Sequence, residues 1–248
     1  EATPLILSPV VGNQIPHRPA TSRGQIVGAF WFFGIMFGIV AFVVVVAVIS
    51  SRNEKKRTEA WKAIAAPPGM QFLGDENTVL ASFGHFKMFQ TGRKHHVWNA
   101  IVVDSGEIRI VVGDFRFVVG SGKNSHTHHQ TICALESNMV DAPHCRLRPE
   151  VKLLDALGAL FGGQDIDFSE DTKFSAAFVL QGEDEPAIRQ MFDAEVRAWF
   201  AERAGRRFFF EALGNKLVFH LGKRVLPAEA PELMDQSLQI MKLLARKS

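Results

Sequence analysis

Gln25 to Ser51 reads QIVGAFWFFGIMFGIVAFVVVVAVISS. No charged residue stands between Ile26 and Ile49. At about 1.5 Å of rise per residue, a helix of this length crosses the roughly 30 Å hydrocarbon core of a bilayer with some tilt. The stretch predicts one transmembrane helix over 25–51, with a tail before it and a folded body after it.

The flanks set the orientation, because Lys and Arg near a span are retained on the cytoplasmic side. Arg18 and Arg23 precede the span, whereas Arg52, Lys55, Lys56, Arg57 and Lys62 follow it. That asymmetry predicts an external N-terminus and a cytoplasmic body, with Trp31, Arg52, Lys55, Lys56 and Arg57 at the membrane interfaces. The tail, 1–24, holds Pro4, Pro9, Pro16 and Pro19 and reads as extended. It lacks the charged start, short apolar core and cleavage site of a signal peptide, so the span is expected to remain as an anchor.

Inside the span, Gly34 and Gly38 form GxxxG with Gly28 and Ala41 nearby, while Phe30, Phe32, Phe33, Phe37 and Phe42 bulk out other directions. Van der Waals packing holds helices together in lipid, and a bare face lets a partner helix or a pigment come close. The bland alternative is that these residues simply meet lipid. Beyond the span, SRNEKKRTEAWKAIA stays in helical register, with Glu54 and Glu59 at pairing distance from Lys55 and Lys62. This predicts a helical stalk over 52–66, ended by Pro67-Pro68-Gly69.

The body, 67–248, reads as α+β. VWNAIVV and EIRIVVGDFRFVV flank the turn Asp104-Ser105-Gly106, and Gly120 to Asn124 leads into SHTHHQTICALES. An antiparallel meander over about 97–136 follows. A helix is expected at Pro149–Leu160, a loop at DIDFSED and a strand at FSAAFVLQG. A long amphipathic helix is read over Glu185–Ala204, where Ile188, Met191, Phe192, Val196, Trp199 and Phe200 recur at three- and four-residue steps. Gly214-Asn215 marks a hairpin, and Ala228–Arg246 a last helix. The fold class is one N-terminal transmembrane helix followed by a soluble domain with an antiparallel β-meander and covering helices.

Composition narrows the chemistry. The 28 basic and 26 acidic residues are mixed along the chain, unlike a nucleic-acid surface. Cys133 and Cys145 are too few for a disulfide framework, and a reduced setting suits them. No CxxCH or Cys cluster offers redox ligands, so no cofactor is expected on the chain's own residues; pigments or lipids of neighbouring subunits are the expected contacts. Twenty-one Phe stand against no Tyr, a skew that predicts Tyr at some of these positions in the gene.

The remaining motifs are weak. His126 and His128 share a strand face and are the nearest approach to a metal pair, with His129, His95 and His96 around them, but no finger spacing accompanies them. Asp165, Asp167, Ser169 and Asp171 alternate like a calcium loop, yet Glu170 and Ala176 occupy the positions that need Gly and Glu. Gly120-Ser121-Gly122-Lys123 has neither a P-loop nor a dinucleotide spacing. No local nucleophile signature is present, so the chain is not expected to be an enzyme.

In the order of its segments, VWNAIVVDSGEIRIVVGDFRF, TICALES, LRPE at 147–150, DIDF at 165–168 and FSAAFVLQGEDEPAIRQMF, the body resembles a group of uncharacterised bacterial single-pass membrane-anchored proteins. That resemblance covers about residues 70–245 and attaches no catalytic residue. The expectation is a non-catalytic accessory subunit of a larger complex in the bacterial cytoplasmic membrane, with membrane-protein subunits and the bilayer as partners. A photosynthetic reaction centre with its light-harvesting ring comes first as host, and a respiratory complex second. A free-standing membrane-tethered binding module and a hydrolase with a spatially assembled site are the competing classes.

Overall fold

The computed structural model describes residues 23–150 and 164–246, with residues 23–35 and 164 described by backbone alone. It divides into two compact units, 1–53 and 54–248. The helix expected at Pro149–Leu160 falls almost wholly outside the described residues, as does most of the N-terminal tail.

Helix α1 runs over Arg23–Ile64. It is long and apolar enough to cross a membrane, and the apolar window that qualifies it is 0% buried. Phe37 is 76% exposed and Phe42 69% exposed. A helix of a soluble protein turns its apolar side inward; among the described residues of this one, 36–53 are exposed on every side.

The second unit is built on a nine-stranded antiparallel sheet in the order β1-β2-β3-β4-β9-β8-β5-β7-β6. Its strands are β1 (Met70–Gly74), β2 (Arg93–Asp104), β3 (Ile108–Val119), β4 (His126–Ser137), β5 (Ala142–Pro149), β6 (Gln164–Asp165), β7 (Phe178–Gly182), β8 (Phe209–Gly214) and β9 (Lys216–His220). The meander β2-β3-β4 falls where the alternation placed it, and β8-β9 forms the hairpin around Gly214-Asn215.

Both faces of the meander are covered, which is why its strands read as nearly continuous apolar runs. One face, with Ile101, Val112, Cys133, Leu135, Leu217 and Phe219, packs against Trp61 of α1 and against the helices α4 (Thr172–Ala177), α5 (Glu185–Met191), α6 (Ala194–Ala201) and α7 (Ala230–Ala245). The other, with Val97, Val102, Val111, Phe115 and Ile132, is covered by α2 (Thr78–Ser82) and α3 (Lys87–Gln90) through Val79, Phe83, Phe86 and Phe89. TVLASFGHFKMFQ, of mixed period in sequence, is this pair of short helices.

Three readings of the body change. The helix expected over Glu185–Ala204 is broken at Phe192-Asp193: Asp193 is extended, and its carboxylate accepts from Glu195 N and Val196 N at 3.0 Å, capping α6. The apolar period runs through the break because both halves face one core. In FSAAFVLQG the first four residues are helical and the strand begins at Phe178, since Asp171 caps α4 through Phe174 N. Residues 142–149, for which the sequence suggested no element before the helix expected from Pro149, form β5, with Cys145 and Leu147 inward.

Candidate functional site

The last turns of α1, from Glu54 onward, belong to the body and are fastened to it by a buried cluster of charges. Asp114 of β3, its side chain wholly inaccessible, receives Arg57 Nε at 2.8 Å and Arg57 Nη2 at 2.6 Å. Arg224 Nη2 reaches the same carboxylate at 3.1 Å, Asn99 Nδ2 at 3.0 Å and Thr131 Oγ1 at 3.1 Å. Arg224 also forks across Glu54, at 2.7 Å and 2.9 Å. Two carboxylates thus meet two guanidinium groups in bidentate geometry, the strongest form of ion pair.

Local structure aims these groups. β2 bulges between Trp98 and Ile101, where Asn99 takes a positive φ of 52°, which Asn tolerates better than most residues. Opposite it, a Cβ on Gly113 would stand 3.1 Å from both Ala100 Cα and the Trp98 carbonyl, so any larger residue would press the two strands apart there. Thr131 uses its hydroxyl three times, donating to Asp114 and accepting from Val225 N at 3.1 Å and from Arg57 Nη2 at 3.4 Å. Arg224 lies 5.5 Å from the centre of the Trp98 ring, and Arg57 5.8 Å from that of Trp61. Burial pushes the Asp114 carboxyl up, but the hydrogen bonds of Arg57 and Asn99 and the two guanidinium charges outweigh it and hold the group below the usual carboxylate value.

The residues expected at the membrane interface divide. Arg52, Lys55 and Lys56 are exposed, whereas Arg57 turns into the cluster, because Asp114 needs a buried cation more than the helix needs another surface charge. Glu59 pairs with Lys62 at 2.9 Å as the spacing suggested, while Glu54 pairs with Arg224 rather than with a lysine of its own helix. Gly38 and Ala41 are exposed, and a Cβ on Gly38 would meet nothing within 4 Å. The surroundings of Gly28, Trp31 and Gly34 lie outside the described residues.

The histidines are spent on aromatic contacts. His128 stacks on Phe117 at 5.1 Å, His95 on Phe115 at 6.0 Å and His96 on Trp98 at 5.5 Å; His129 meets the edge of Trp98. His126 and His128 are both exposed. Among the described residues no group of three or more His, Cys, Asp or Glu stands close enough to hold a metal ion. Asp165 takes a hydrogen bond from Gln181 and Asp171 one from Arg197, so this acidic stretch serves turns and caps. Cys133 and Cys145 are free and buried, and burial pushes both thiols up to about 12, far from nucleophilic thiolates. A cavity of about 210 Å³ beside α3 holds Gln130, Arg146, Glu211 and His220 over an apolar floor of Met88 and Phe117. Glu211 is committed there to Lys87 N at 2.7 Å and to His144 at 3.3 Å.

Sequence reasoning did not find Asp114, Asn99, Thr131 or Arg224. The one signal was Asp114 itself, a lone carboxylate inside IRIVVGDFRFVV, which a buried strand cannot hold unpaired.

No family model and no curated protein matches the chain in sequence. In structure it is similar to the mycobacterial trehalose monomycolate transport factor A, TtfA, with 12% sequence identity and a TM-score of 0.49 over 77% of this chain and 92% of that one.

Proposed function

We propose that the chain is a non-catalytic, single-pass accessory subunit of a larger bacterial membrane-protein complex. The observation that carries this reading is the exposed apolar helix, in which Phe37, Phe42 and the valines 43–46 are open, joined to a body whose buried charges serve to fasten the helix. Anchoring is the work these residues are built for. The span packs against partner helices through Gly34 and Gly38, the N-terminus is external, and the body rests on neighbouring subunits at the cytoplasmic surface. A photosynthetic reaction centre with its light-harvesting ring is the host we place first and a respiratory complex second, the pigments or redox groups belonging to the neighbours. The buried thiols and the stacked histidines support a passenger role over a catalytic one.

The test is to replace Gly38 with Ile and, separately, Gly34 with Ile, and to purify the chain's native complex in mild detergent. The open space around Gly38 leaves the isolated chain indifferent to the added bulk, so loss of co-purification with an unchanged, membrane-integrated chain supports the reading. Unchanged co-purification of both variants, or a wild-type chain that runs alone as a free-standing module, overturns it.

A further inference from the structure

Charge on the body's sheet is segregated by end. Sequence 77–103 contains no acidic residue and neither does 115–135. These two stretches meet where β2 begins and the β3-β4 hairpin turns: Arg93 pairs in register with Val118, His96 with Arg116 and Val119 with His126. Arg93, Lys94, Arg116 and Lys123 are all exposed there, and among the described residues none of the four has a carboxylate partner. Arg93 donates to the Gly120 carbonyl and so stiffens the tip, and Gly120 itself, at φ +79°, has no room for a Cβ against the Asn124 carbonyl. Of the acids nearby, Asp75 stands against His96 at 3.2 Å, while Asp114 and Glu54 are matched by Arg57 and Arg224. The other end of the same strands carries Asp104, Glu107, Glu136 and Asp141, with Arg109 and Lys216 in register beside Asp104 and Glu136.

The first stretch of chain in the body runs away from the basic end. Within the body, α1 passes from Glu54, level with Asp114 and Thr131, to Ile64, and β1 then begins with Met70 beside Val103 at the acidic end. The hairpin continues in the opposite direction, five residues from Asp114 to Val119, or about 16 Å at roughly 3.3 Å per residue. Glu54 follows Ser51, the end of the apolar stretch, by three positions, a tether of about 11 Å even if fully extended.

From this segregation we propose that the tip of the β3-β4 hairpin, with Arg93, Lys94, Arg116 and Lys123, docks on the headgroups of anionic phospholipids in the membrane that holds the anchor. The partner follows from charge complementarity and from the short stretch of chain between the apolar span and the body. Docking ties the body to the bilayer at a second point. The inference rests on the chain being membrane-anchored and extends that reading to the body.

The full chain carrying Ser121→Cys is labelled at the tip with an environment-sensitive fluorophore, the native thiols being buried, and reconstituted into vesicles of phosphatidylcholine alone or mixed with phosphatidylglycerol. Resistance to alkaline extraction, read on the same vesicles, reports the anchor separately. Docking predicts a blue-shifted tip, quenched by headgroup-labelled lipid, only in the anionic vesicles and reversed by salt. Arg116→Gln with Lys123→Gln is expected to lower the docked-to-free ratio by roughly 25-fold, about fivefold per charge, with an unchanged circular dichroism spectrum. If the double variant misfolds, the salt dependence of the wild type decides. An integrated chain whose tip stays exposed in anionic vesicles overturns the proposal, as does a tip shielded equally in both lipids or shielded only when other subunits are present. A chain that washes out at alkaline pH overturns the anchor instead.

Discussion

Arg224 holds Glu54 across 170 residues of sequence with both guanidinium Nη atoms, at 2.7 Å and 2.9 Å, and turns one of them on to Asp114 at 3.1 Å. One side chain thereby links the first turn of the body to a strand in its centre. The loop that carries Arg224 closes over Glu54, where α1 joins the body.

Removing one member of the cluster leaves a buried charge without its counterion, whose desolvation is then uncompensated. Asp114→Asn is expected to destabilise the body by about 3–5 kcal/mol, read as a fall in the urea midpoint of the detergent-solubilised chain. The Glu54 to Arg224 pair is half open to water, so its coupling in a double-mutant cycle with Glu54→Gln and Arg224→Gln is expected at only about 0.5–1 kcal/mol. Equal losses for the two pairs would show that burial does not rank them.

Acid should weaken the body through a histidine before it reaches the carboxylates. His220 stacks on Phe209 at 4.7 Å and accepts Gly222 N on Nδ1 at 3.1 Å, so the fold needs that nitrogen unprotonated. Burial, with the charge of Arg146, lowers its pKa to about 3. Between that value and the ordinary 6.5 the unfolded chain binds the extra proton, so stability rises with pH and is lost on acidification from about pH 6.5 downward. Asp114 shares that preference for the unprotonated form but acts lower on the pH scale: its lowered value makes a contribution present above about 3.8 and lost as pH falls through the lower folded value. Urea midpoints from pH 7 to 4.5 are therefore expected to fall in the wild type and to fall less in His220→Gln; identical slopes would contradict this assignment.

Cys133 and Cys145, both buried with thiols near 12, are expected to stay unlabelled by a thiol reagent in the native chain and to react fully in denaturant. Mass spectrometry after timed labelling measures it. Fast labelling of either in the folded chain would mean that the core opens at β4 or β5.

How much of this was legible differs by element. The span, the meander and the β8-β9 hairpin each declare themselves in a single local pattern: an uncharged run, period-2 alternation, Gly-Asn between apolar segments. The break at Asp193 was less visible, because Ile188 to Phe200 keeps one apolar period across it and only the capping residue type gives it away. β5 was masked by Pro143 and Pro149, which argue against a strand although Cys145 and Leu147 alternate correctly between them. The charge cluster was out of reach, since Glu54 and Arg57, Asp114, and Arg224 come from three distant parts of the chain. Arg57 looked like one more interfacial cation, and nothing in LGKRVLP distinguishes Arg224 from a surface residue.

Assembly is tested most directly by solubilising native membranes in mild detergent after an alkaline carbonate wash and resolving them on a blue-native gel, with peptide sequencing of the band that carries this chain. An accessory subunit is expected to survive the wash and to comigrate in fixed stoichiometry with other membrane subunits. A chain stripped off by carbonate, or one migrating alone at its own mass of 27.5 kDa plus detergent, contradicts the claim.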